Sequence, residues 1–393
     1  MILLKKGQIF NVYTGCFESG DILIEGAKIK AVSSAIEFGF GMGESYDLEG
    51  ALVLPGLIDA HSHIGTWTLD HNGNDANECV TPATPGLRII DALNPRDRAF
   101  YDAYRSGITT AMIAPGSGNV IGGQCAIIKT YGKTRAEMLV KSPAALKMAF
   151  GENPKRVYAQ QKLSPSSRMA TAALVREALH RAQLYFQQKK RNLPAADDLD
   201  LEAFIPVFKG EIPLKVHAHR ADDIMTAVSI AEEFGLRLTL EHCTEGHLIV
   251  DFLKGRRIPV MIGPSGIFRT KIETRNATLK NAAILAEAGM LVSIISDHPF
   301  ENCKYLTISA GYLRKNGLDD AEALRALTIN PARALGIDHR VGSIEPGKDA
   351  DIAIFDGDPL ETLTTVRMTL INGKIVYRNA VSCGEEGSAH CSF

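Results

Sequence analysis

Short apolar runs alternate with helix-like stretches through the middle of the chain. Eight runs have the length and the residue types of buried strands: 52–58, 108–114, 125–129, 145–150, 214–217, 237–240, 258–262 and 290–295. Helical patterns occur between them, among others at 168–190, 221–234 and 276–288. Strands that alternate with helices predict a parallel α/β fold, and eight of them predict a (β/α)8 TIM-like barrel.

The two ends of the chain share another pattern. Short β-prone runs at 8–13, 21–24 and 28–32 are separated by single glycines, and the runs 351–355 and 368–377 follow late in the chain, the second with an Asn-Gly turn. We therefore predict a small β-sandwich domain built from both termini, residues 1–54 and 341–393, around a barrel at 55–340. The tail at 382–393 is rich in Gly, Ser and Glu, and we expect it to be loose.

Composition narrows the class of protein. The 393 residues are 45% hydrophobic and 22% charged, with a net charge of -2, which favours a globular enzyme of a small-molecule substrate over a nucleic-acid or membrane-surface binder. No signal peptide and no membrane-length apolar run is visible, so a cytoplasmic protein is expected. The seven cysteines are scattered singly, which is typical of reduced thiols. Nothing in the pattern decides whether the chain forms a homo-oligomer.

A pair of histidines follows the first predicted barrel strand. Residues 55–63 read Pro-Gly-Leu-Ile-Asp-Ala-His-Ser-His. Because residues i and i+2 of a strand face the same side, His61 and His63 point together. Two converging imidazoles are a natural beginning for a site that binds zinc, iron, nickel or manganese.

Further histidines and an aspartate recur at other strand ends. His217 and His219 end the fifth strand, His242 ends the sixth, and Asp297 with His298 ends the eighth. Six of the chain's 11 histidines therefore lie where a barrel builds its catalytic face. A single buried histidine is more often a core residue, but this recurrence favours a metal centre.

The order of these motifs resembles the amidohydrolase superfamily. The segment 342–351, Gly-Ser-Ile-Glu-Pro-Gly-Lys-Asp-Ala-Asp, is also similar to the family's return into the sandwich, so the resemblance extends over residues 1–380. It is closest to the imidazolonepropionase-like and prolidase-like branch. The resemblance implies a hydrolase with one or two divalent metals, zinc being favoured and iron, manganese and nickel remaining alternatives.

The fourth strand offers two candidate ligands. Alternation directs Lys147 inward, where an unpaired ammonium is costly, and places Glu152 nearer the strand end. Family members with two metals use such a lysine, carbamylated by CO2, as an anionic bridge, whereas others use a glutamate. We favour Lys147 over Glu152, and a substrate-binding role for Lys147 is the third alternative.

The fifth strand leaves a choice between its two histidines. His219 is closer to the strand end and is preferred as the ligand, with His217 deeper. Family deaminases place a glutamate three residues after this ligand, and Asp222 occupies that position here. A heterocycle deaminase is therefore the alternative function within the superfamily.

The predicted metal ligands are His61, His63, Lys147, His219, His242 and Asp297. A carboxylate beside a metal-activated water can take its proton and pass it to the leaving nitrogen, and we assign this general-base role to Asp297. His242 is a ligand or a stabiliser of the oxyanion. The predicted reaction is hydrolysis of an amide, cyclic amide or dipeptide-like C–N bond. An inactive scaffold that serves as a binding protein is the alternative of another class, and the complete ligand set argues against it.

Two loops after barrel strands are expected to shape the substrate pocket. They span 65–95 and 115–123, and the glycine spacing of the second does not fit a dinucleotide site. Lys155, Arg156, Lys162 and Arg168 follow the fourth strand and are either a solvated surface or a grip for a substrate carboxylate.

Overall fold

The computed structural model describes residues 1–39, 41–68, 73–194, 196–266, 269 and 271–379. The strands in this part of the chain are β1 (Ile2–Asn11), β2 (Cys16–Glu25), β3 (Lys28–Ser33), β4 (Glu44–Asp47), β5 (Leu52–Pro55), β6 (Leu57–Ser62), β7 (Ile108–Ile113), β8 (Ile121–Lys129), β9 (Leu139–Ala149), β10 (Leu214–Ala218), β11 (Leu238–His242), β12 (Val260–Ile262), β13 (Val292–Ile294), β14 (Ile352–Phe355), β15 (Val366–Ile371) and β16 (Lys374–Arg378).

The α-helices of the described residues are α1 (Arg98–Arg105), α2 (Arg135–Met138), α3 (Glu152–Gln160), α4 (Arg168–Lys190), α5 (Leu199–Glu202), α6 (Ile205–Phe208), α7 (Ala221–Phe234), α8 (Val250–Leu253), α9 (Asn281–Glu287), α10 (Leu306–Lys315), α11 (Asp320–Arg325) and α12 (Ile329–Leu335). Short 3-10 turns occur at Ile89–Asp91, Gly246–Ile249, Ile272–Thr274 and Cys303–Tyr305. None of the helices described here is long and apolar enough to cross a membrane.

Strands from both ends of the chain form one sheet. Its order is β16-β15-β14-β5-β1-β2-β3, with β4 paired to β1, so that β14 from the late segment lies antiparallel to β5 from the early one. Aliphatic side chains from both segments share its core. The predicted sandwich of both termini is confirmed, as is the hairpin at Asn372-Gly373 between β15 and β16. The boundaries at 54 and 341 remain predictions, and the tail at 382–393 lies outside the described residues.

The middle of the chain forms a nearly closed barrel. Strands β6 to β13 are adjacent in chain order, and β13 returns to contact β6. This confirms the TIM-like fold. One strand, however, runs in the opposite direction to that of an all-parallel barrel. Strand β8 runs antiparallel to both β7 and β9, while the other pairs are parallel. The connections 114–120 and 130–138 are too short for the crossover helix that parallel neighbours need, whereas antiparallel neighbours need none.

The prediction of a single barrel strand at 52–58 is wrong. The segment divides at Gly56 into β5, which belongs to the sandwich, and β6, which belongs to the barrel. A Cβ atom on Gly56 would lie 2.2 Å from Oγ1 of Thr109, so only glycine fits this close approach. An uninterrupted apolar run could not reveal that its two halves serve different sheets.

Two long helices have the predicted bounds. Helix α4 covers Arg168–Lys190, where the Ser167 side chain accepts the N–H of Ala170. Helix α7 covers Ala221–Phe234 and ends at Gly235, whose φ of 65° is left-handed. The helix predicted at 276–288 is shorter, Asn281–Glu287. The other predicted strands correspond to β7–β13 with shifted ends.

Candidate metal centre

Histidines and an aspartate from four strand ends converge at one end of the barrel. His61 is in β6, His217 in β10 and His242 in β11, all at the C-terminal ends, and Asp297 follows β13. All four are buried. Two overlapping groups have ligand atoms within 4.8 Å of one another: His61, His242 and Asp297, and His217, His219 and His242. The barrel therefore brings together residues that are far apart in the sequence.

Asp297 is held between the two histidines of the first motif. Its Oδ1 lies 3.3 Å from Nε2 of His61 and 3.3 Å from Nε2 of His63. The backbone N–H of Asp297 donates to the carbonyl of His61 at 3.1 Å. Asp297 and His242 have left-handed φ angles of 52° and 68°, which side-chain-bearing residues rarely adopt. Such strain is found where the surroundings fix a functional geometry.

The second group includes a histidine that the sequence analysis placed deeper. The ring centroids of His217 and His242 are 4.6 Å apart, and those of His219 and His242 are 4.7 Å apart. His217 and His219 are 3% and 6% exposed, so burial does not separate them. Both are within reach of one ion, and the choice of His219 over His217 remains a prediction.

Hydrogen bonds orient the histidine rings. The Nδ1 atoms of three of them lie 2.7 Å from acceptors: His61 from the Glu241 carboxylate, His63 from the Ala114 carbonyl, and His242 from the Gly263 carbonyl. Nδ1 of His219 lies 2.7 Å from the Thr244 hydroxyl. An acceptor at Nδ1 makes that atom the donor and leaves the lone pair on Nε2, which is the pattern of metal-binding histidines.

Burial keeps the rings of His217, His219 and His242 neutral. It lowers the pKa of His242 to about 4, and it lowers the pKa values of His217 and His219 well below the ordinary range. For Asp297, burial opposes ionisation, but His242 and the hydrogen bonds from His61 and His63 outweigh it and hold the pKa well below its usual value. Neutral imidazoles beside an ionised carboxylate form a donor set that suits a divalent cation.

A buried ion pair between Lys215 and Glu241 contacts the ring of His61. Nζ of Lys215 lies 2.7 Å from Oε2 of Glu241, the same oxygen that contacts His61, and it donates to the Ala60 carbonyl at 2.9 Å. The Thr239 hydroxyl donates to the other Glu241 oxygen at 2.6 Å. Sequence reasoning gave Lys215 and Glu241 no role. The available signal was that each is a charged residue inside an apolar strand, close to a candidate ligand.

The fold places the two fourth-strand candidates, Lys147 and Glu152, in different surroundings. Lys147 is 1% exposed, its Nζ lies 3.2 Å from Nε2 of His61, and burial lowers its pKa to about 8. None of the ion pairs among the described residues involves Lys147. Glu152 begins helix α3, where its backbone N–H donates to Glu273, and it does not line the cavity. The geometry supports Lys147 rather than Glu152 as the fourth-strand ligand.

A cavity of about 370 Å³ opens above the ligands. The loops at 65–95 and 115–123 contribute Trp67, Asn77 and Ser117 to its walls, in the part of these loops that the structure describes. Of the predicted basic residues, only Arg156 lines the cavity. Arg168 instead pairs with the buried Asp223, Nε to Oδ1 at 2.9 Å. Sequence reasoning missed Lys271 and Asn153, which also line the cavity.

The described cysteines do not add a nucleophile. Cys16, Cys79, Cys125, Cys243 and Cys303 are free thiols. Burial raises the pKa of Cys125 and of Cys243 to about 12, and it raises that of Cys79, the one that lines the cavity. Such thiols are poor nucleophiles at neutral pH. Cys383 and Cys391 lie outside the described residues.

Comparisons with known proteins identify the family and the fold. A profile of the amidohydrolase family matches residues 211–376. The crystal structure of an amidohydrolase from Thermotoga maritima is 40% identical, with a TM-score of 0.92 over 96% of this chain and 100% of that one. The chain belongs to the amidohydrolase superfamily. It is therefore an enzyme, a hydrolase of carbon–nitrogen bonds other than ordinary peptide bonds, as the sequence predicts.

Two curated relatives extend the comparison. The imidazolonepropionase of Thermoplasma acidophilum is 26% identical, over 92% of this chain and 90% of that protein. Amidohydrolase tasK of Hapsidospora irregularis is 30% identical over 87% of this chain. The present chain covers only 38% of the length of tasK. The superfamily is confirmed, and the finer placement in an imidazolonepropionase-like or prolidase-like branch remains a prediction.

Proposed function

We propose that this amidohydrolase uses a divalent-metal centre to hydrolyse an amide, cyclic amide or dipeptide-like C–N bond, with Asp297 as general base. The observation that carries the proposal is the position of the Asp297 carboxylate, 3.3 Å from Nε2 of both His61 and His63 and facing the cavity. A carboxylate in that position can act on a reacting water within hydrogen-bond reach.

The buried donors fit one or two ions. Residues His61, His63 and Asp297 would hold one, and His242 belongs to both ligand groups. His219 would hold a second ion with His242, and His217 is close enough to share it. Imidazole and carboxylate ligands favour zinc, with iron, manganese and nickel as alternatives.

Lys147 completes the proposed centre. It is buried beside His61 without an ion-pair partner among the described residues, and an isolated buried ammonium is costly. Carbamylation by CO2 would make its side chain an anion and a bridge between the two groups. Two metals per chain are expected with the carbamate, and one without it.

The chain's residues divide the reaction between them. A divalent metal held by these residues would supply a water of lowered pKa, towards ~7, and would polarise the scissile carbonyl. Asp297 takes the proton of the attacking water and donates it to the leaving nitrogen. His242 stabilises the negative charge that develops on the carbonyl oxygen, or remains a ligand throughout. Glu241 holds the ring of His61 in orientation.

The deaminase alternative lacks a supporting contact. Asp222, at the position where family deaminases carry a glutamate, pairs with Arg220 at 2.8 Å and does not line the cavity. Its side chain is 47% exposed. A proton shuttle to a bound ring would need this carboxylate in the cavity, so the geometry favours amide hydrolysis.

Two measurements test the proposal. Elemental analysis of protein purified with bicarbonate and without chelator should find one or two divalent metals per chain, and Lys147→Met should reduce two to one. A panel of dipeptides, N-acyl amino acids and cyclic amides should include a substrate, and Asp297→Asn should lower its kcat/KM by about 100-fold or more. Full activity in Asp297→Asn would refute the general base, and ammonia released only from heterocycles would favour the deaminase.

A further inference from the structure

The walls of the active-site cavity carry an excess of positive charge. Among the described residues that line it, Lys147, Arg156 and Lys271 are the cationic types, and Asp297 is the single carboxylate. Lys147 and Asp297 belong to the proposed metal centre. Lys271 and Arg156 therefore remain as cavity-lining cations outside that centre.

Lys271 is held in position rather than loose in solvent. Its backbone N–H donates to the Thr274 hydroxyl at 3.2 Å, and that hydroxyl donates back to its carbonyl at 3.0 Å. Its Nζ donates to Oδ1 of Asn153 at 3.1 Å, and its side chain is only 26% exposed. An ammonium ordered in this way loses less conformational entropy on binding a ligand than a free surface lysine does.

Asn153 links this lysine to the metal centre. Its Nδ2 donates to the Ser117 hydroxyl at 2.7 Å, which orients the amide, and it lies 3.4 Å from Nε2 of His217. Lys271 has a longer contact, 3.4 Å, with Oε1 of Glu273, which is 1% exposed and does not line the cavity. An ammonium has three N–H donors, so one remains for a ligand among the contacts that the described residues make.

The metal side of the cavity has an apolar aromatic wall. The rings of Trp67 and Phe300 meet edge to face, with centroids 5.1 Å apart, and Trp67 lies 5.6 Å from the ring of His63. Phe300 is 49% exposed, so its ring has uncovered surface to offer. The aromatic rings therefore lie beside His63, whereas Lys271 is linked through Asn153 to His217.

We propose that Lys271, oriented by Asn153, binds a free carboxylate of the substrate, while Trp67 and Phe300 bind an apolar group on the other side of the scissile bond. The substrate class is an amide with one anionic end and one apolar end, such as an N-acylated amino acid. The assignment rests on the proposed amide hydrolysis and adds a specificity-determining residue to it. Arg156 contributes positive charge at the same wall.

Binding can be measured in the first phase after mixing, before appreciable hydrolysis. Trp67 is the chain's one tryptophan and lines the cavity, so its fluorescence reports occupancy. The probes are N-acetyl and N-benzoyl amino acids, each paired with its carboxamide, added to metal-loaded protein. Wild type should bind the free acids at least about tenfold more tightly than the carboxamides, as expected of a charged hydrogen bond. Lys271→Met should lose this preference with its metal content unchanged, and Lys271→Arg should retain part of it.

The control variant is Lys304→Met. Lys304 is exposed, lies over the Tyr305 ring and does not line the cavity, so its removal should leave the preference intact. A free-acid preference that is absent from wild type, or that survives in Lys271→Met, overturns the assignment. If the preference is present but no amide is hydrolysed, the carboxylate site stands and the proposed function fails. If amides are hydrolysed but the free acids are not preferred, the proposed function stands and the carboxylate site fails.

Discussion

His242 belongs to both groups of buried ligand atoms in this amidohydrolase. One group adds His61 and Asp297 to it, and the other adds His217 and His219. A residue shared by two groups supports both, whereas a residue of one group supports only that one. The amount of metal lost when each side chain is replaced therefore indicates which residues hold the metal.

We predict that His242→Asn loses more bound metal than either His217→Asn or His219→Asn. The last two variants keep the complete group of His61, His242 and Asp297, which would still hold one ion, whereas His242→Asn breaks both groups. The measurement is metal per chain by elemental analysis after dialysis. Comparison of His217→Asn with His219→Asn also tests which of them is the ligand, because the loss of a ligand should lower the metal content more than the loss of its neighbour. A fully loaded His242→Asn would contradict the proposed centre.

Glu241 gives a second prediction for a single residue. Its carboxylate accepts from His61 and pairs with Lys215, and both charged side chains are 0–1% exposed. Glu241→Gln leaves the Lys215 ammonium buried and unpaired, so we expect it to lower the free energy of unfolding by about 3 kcal/mol or more. It should also lower metal affinity by about 10- to 100-fold, as loss of an orienting partner does.

A double variant separates these two effects. Lys215→Met combined with Glu241→Gln removes the unpaired ammonium, so chemical denaturation should show much of the stability restored. The metal affinity should remain low, because His61 still lacks its carboxylate. If affinity returned together with stability, Glu241 would be a structural residue and not a positioning one.

The elements of the barrel are joined to the sandwich at Gly56. There the chain passes from β5 to β6, and a Cβ atom would overlap Oγ1, Cγ2 and Cβ of Thr109 in β7, at 2.2, 2.4 and 2.8 Å. The close approach brings the first barrel strand against its neighbour and so places His61 and His63 at its end.

We predict that Gly56→Ala destabilises the enzyme by about 1–3 kcal/mol through overpacking. Thr109→Gly removes all three overlapping atoms, so the double variant should be more stable than the sum of the two single effects implies. Thermal unfolding of the four proteins in this cycle measures the coupling. If the two changes in stability were strictly additive, the overlap of the new Cβ atom with Thr109 would be relieved by other shifts in the structure.

The two parts of the whole molecule are tied by a buried ionic cluster. Nζ of Lys129, on barrel strand β8, lies 2.9 Å from Asp349 and 2.6 Å from Asp351, which precede sandwich strand β14. All three side chains are 2–3% exposed. Burial opposes the charge on Asp349, but Lys129 and Lys28 outweigh it and lower its pKa to about 2.

We predict that Lys129→Met lowers the free energy of unfolding by about 3 kcal/mol, because two carboxylates lose a buried partner. The control is Lys6→Met, which breaks an exposed pair with Asp47 and should leave the free energy of unfolding nearly unchanged. Equal losses in the two variants, measured by urea denaturation at neutral pH, would contradict the special role of the cluster.

The same cluster predicts a pH dependence. The folded-state pKa of Asp349, about 2, is below the value of about 3.9 in an unfolded chain. A depressed pKa stabilises the fold above the unfolded value, and this contribution is lost as the pH falls from about 4 towards 2. Unfolding free energies measured across this window should fall less steeply in Asp349→Asn than in wild type. Parallel slopes would show that other carboxylates dominate.

Local sequence determined the parts of this enzyme that depend on neighbours in the chain. Alternation and strand-end position were enough to single out His61, His63, His242 and Asp297, because a strand directs residues i and i+2 to one side. The bounds of α4 and α7 followed from the helical patterns at 168–190 and 221–234. The use of both termini in one sandwich followed from matching β patterns.

Tertiary structure decided what depends on residues distant in the sequence. The contact of Lys271 with Asn153, the pairing of Arg168 with Asp223 instead of a substrate, and the support of His61 by Glu241 and Lys215 each join separate elements. The reversed direction of β8 and the break at Gly56 are likewise set by which strands meet. Propensity and periodicity act within a few residues along the chain, whereas a charge finds its partner only when the closed barrel fixes which side chains share the same buried space.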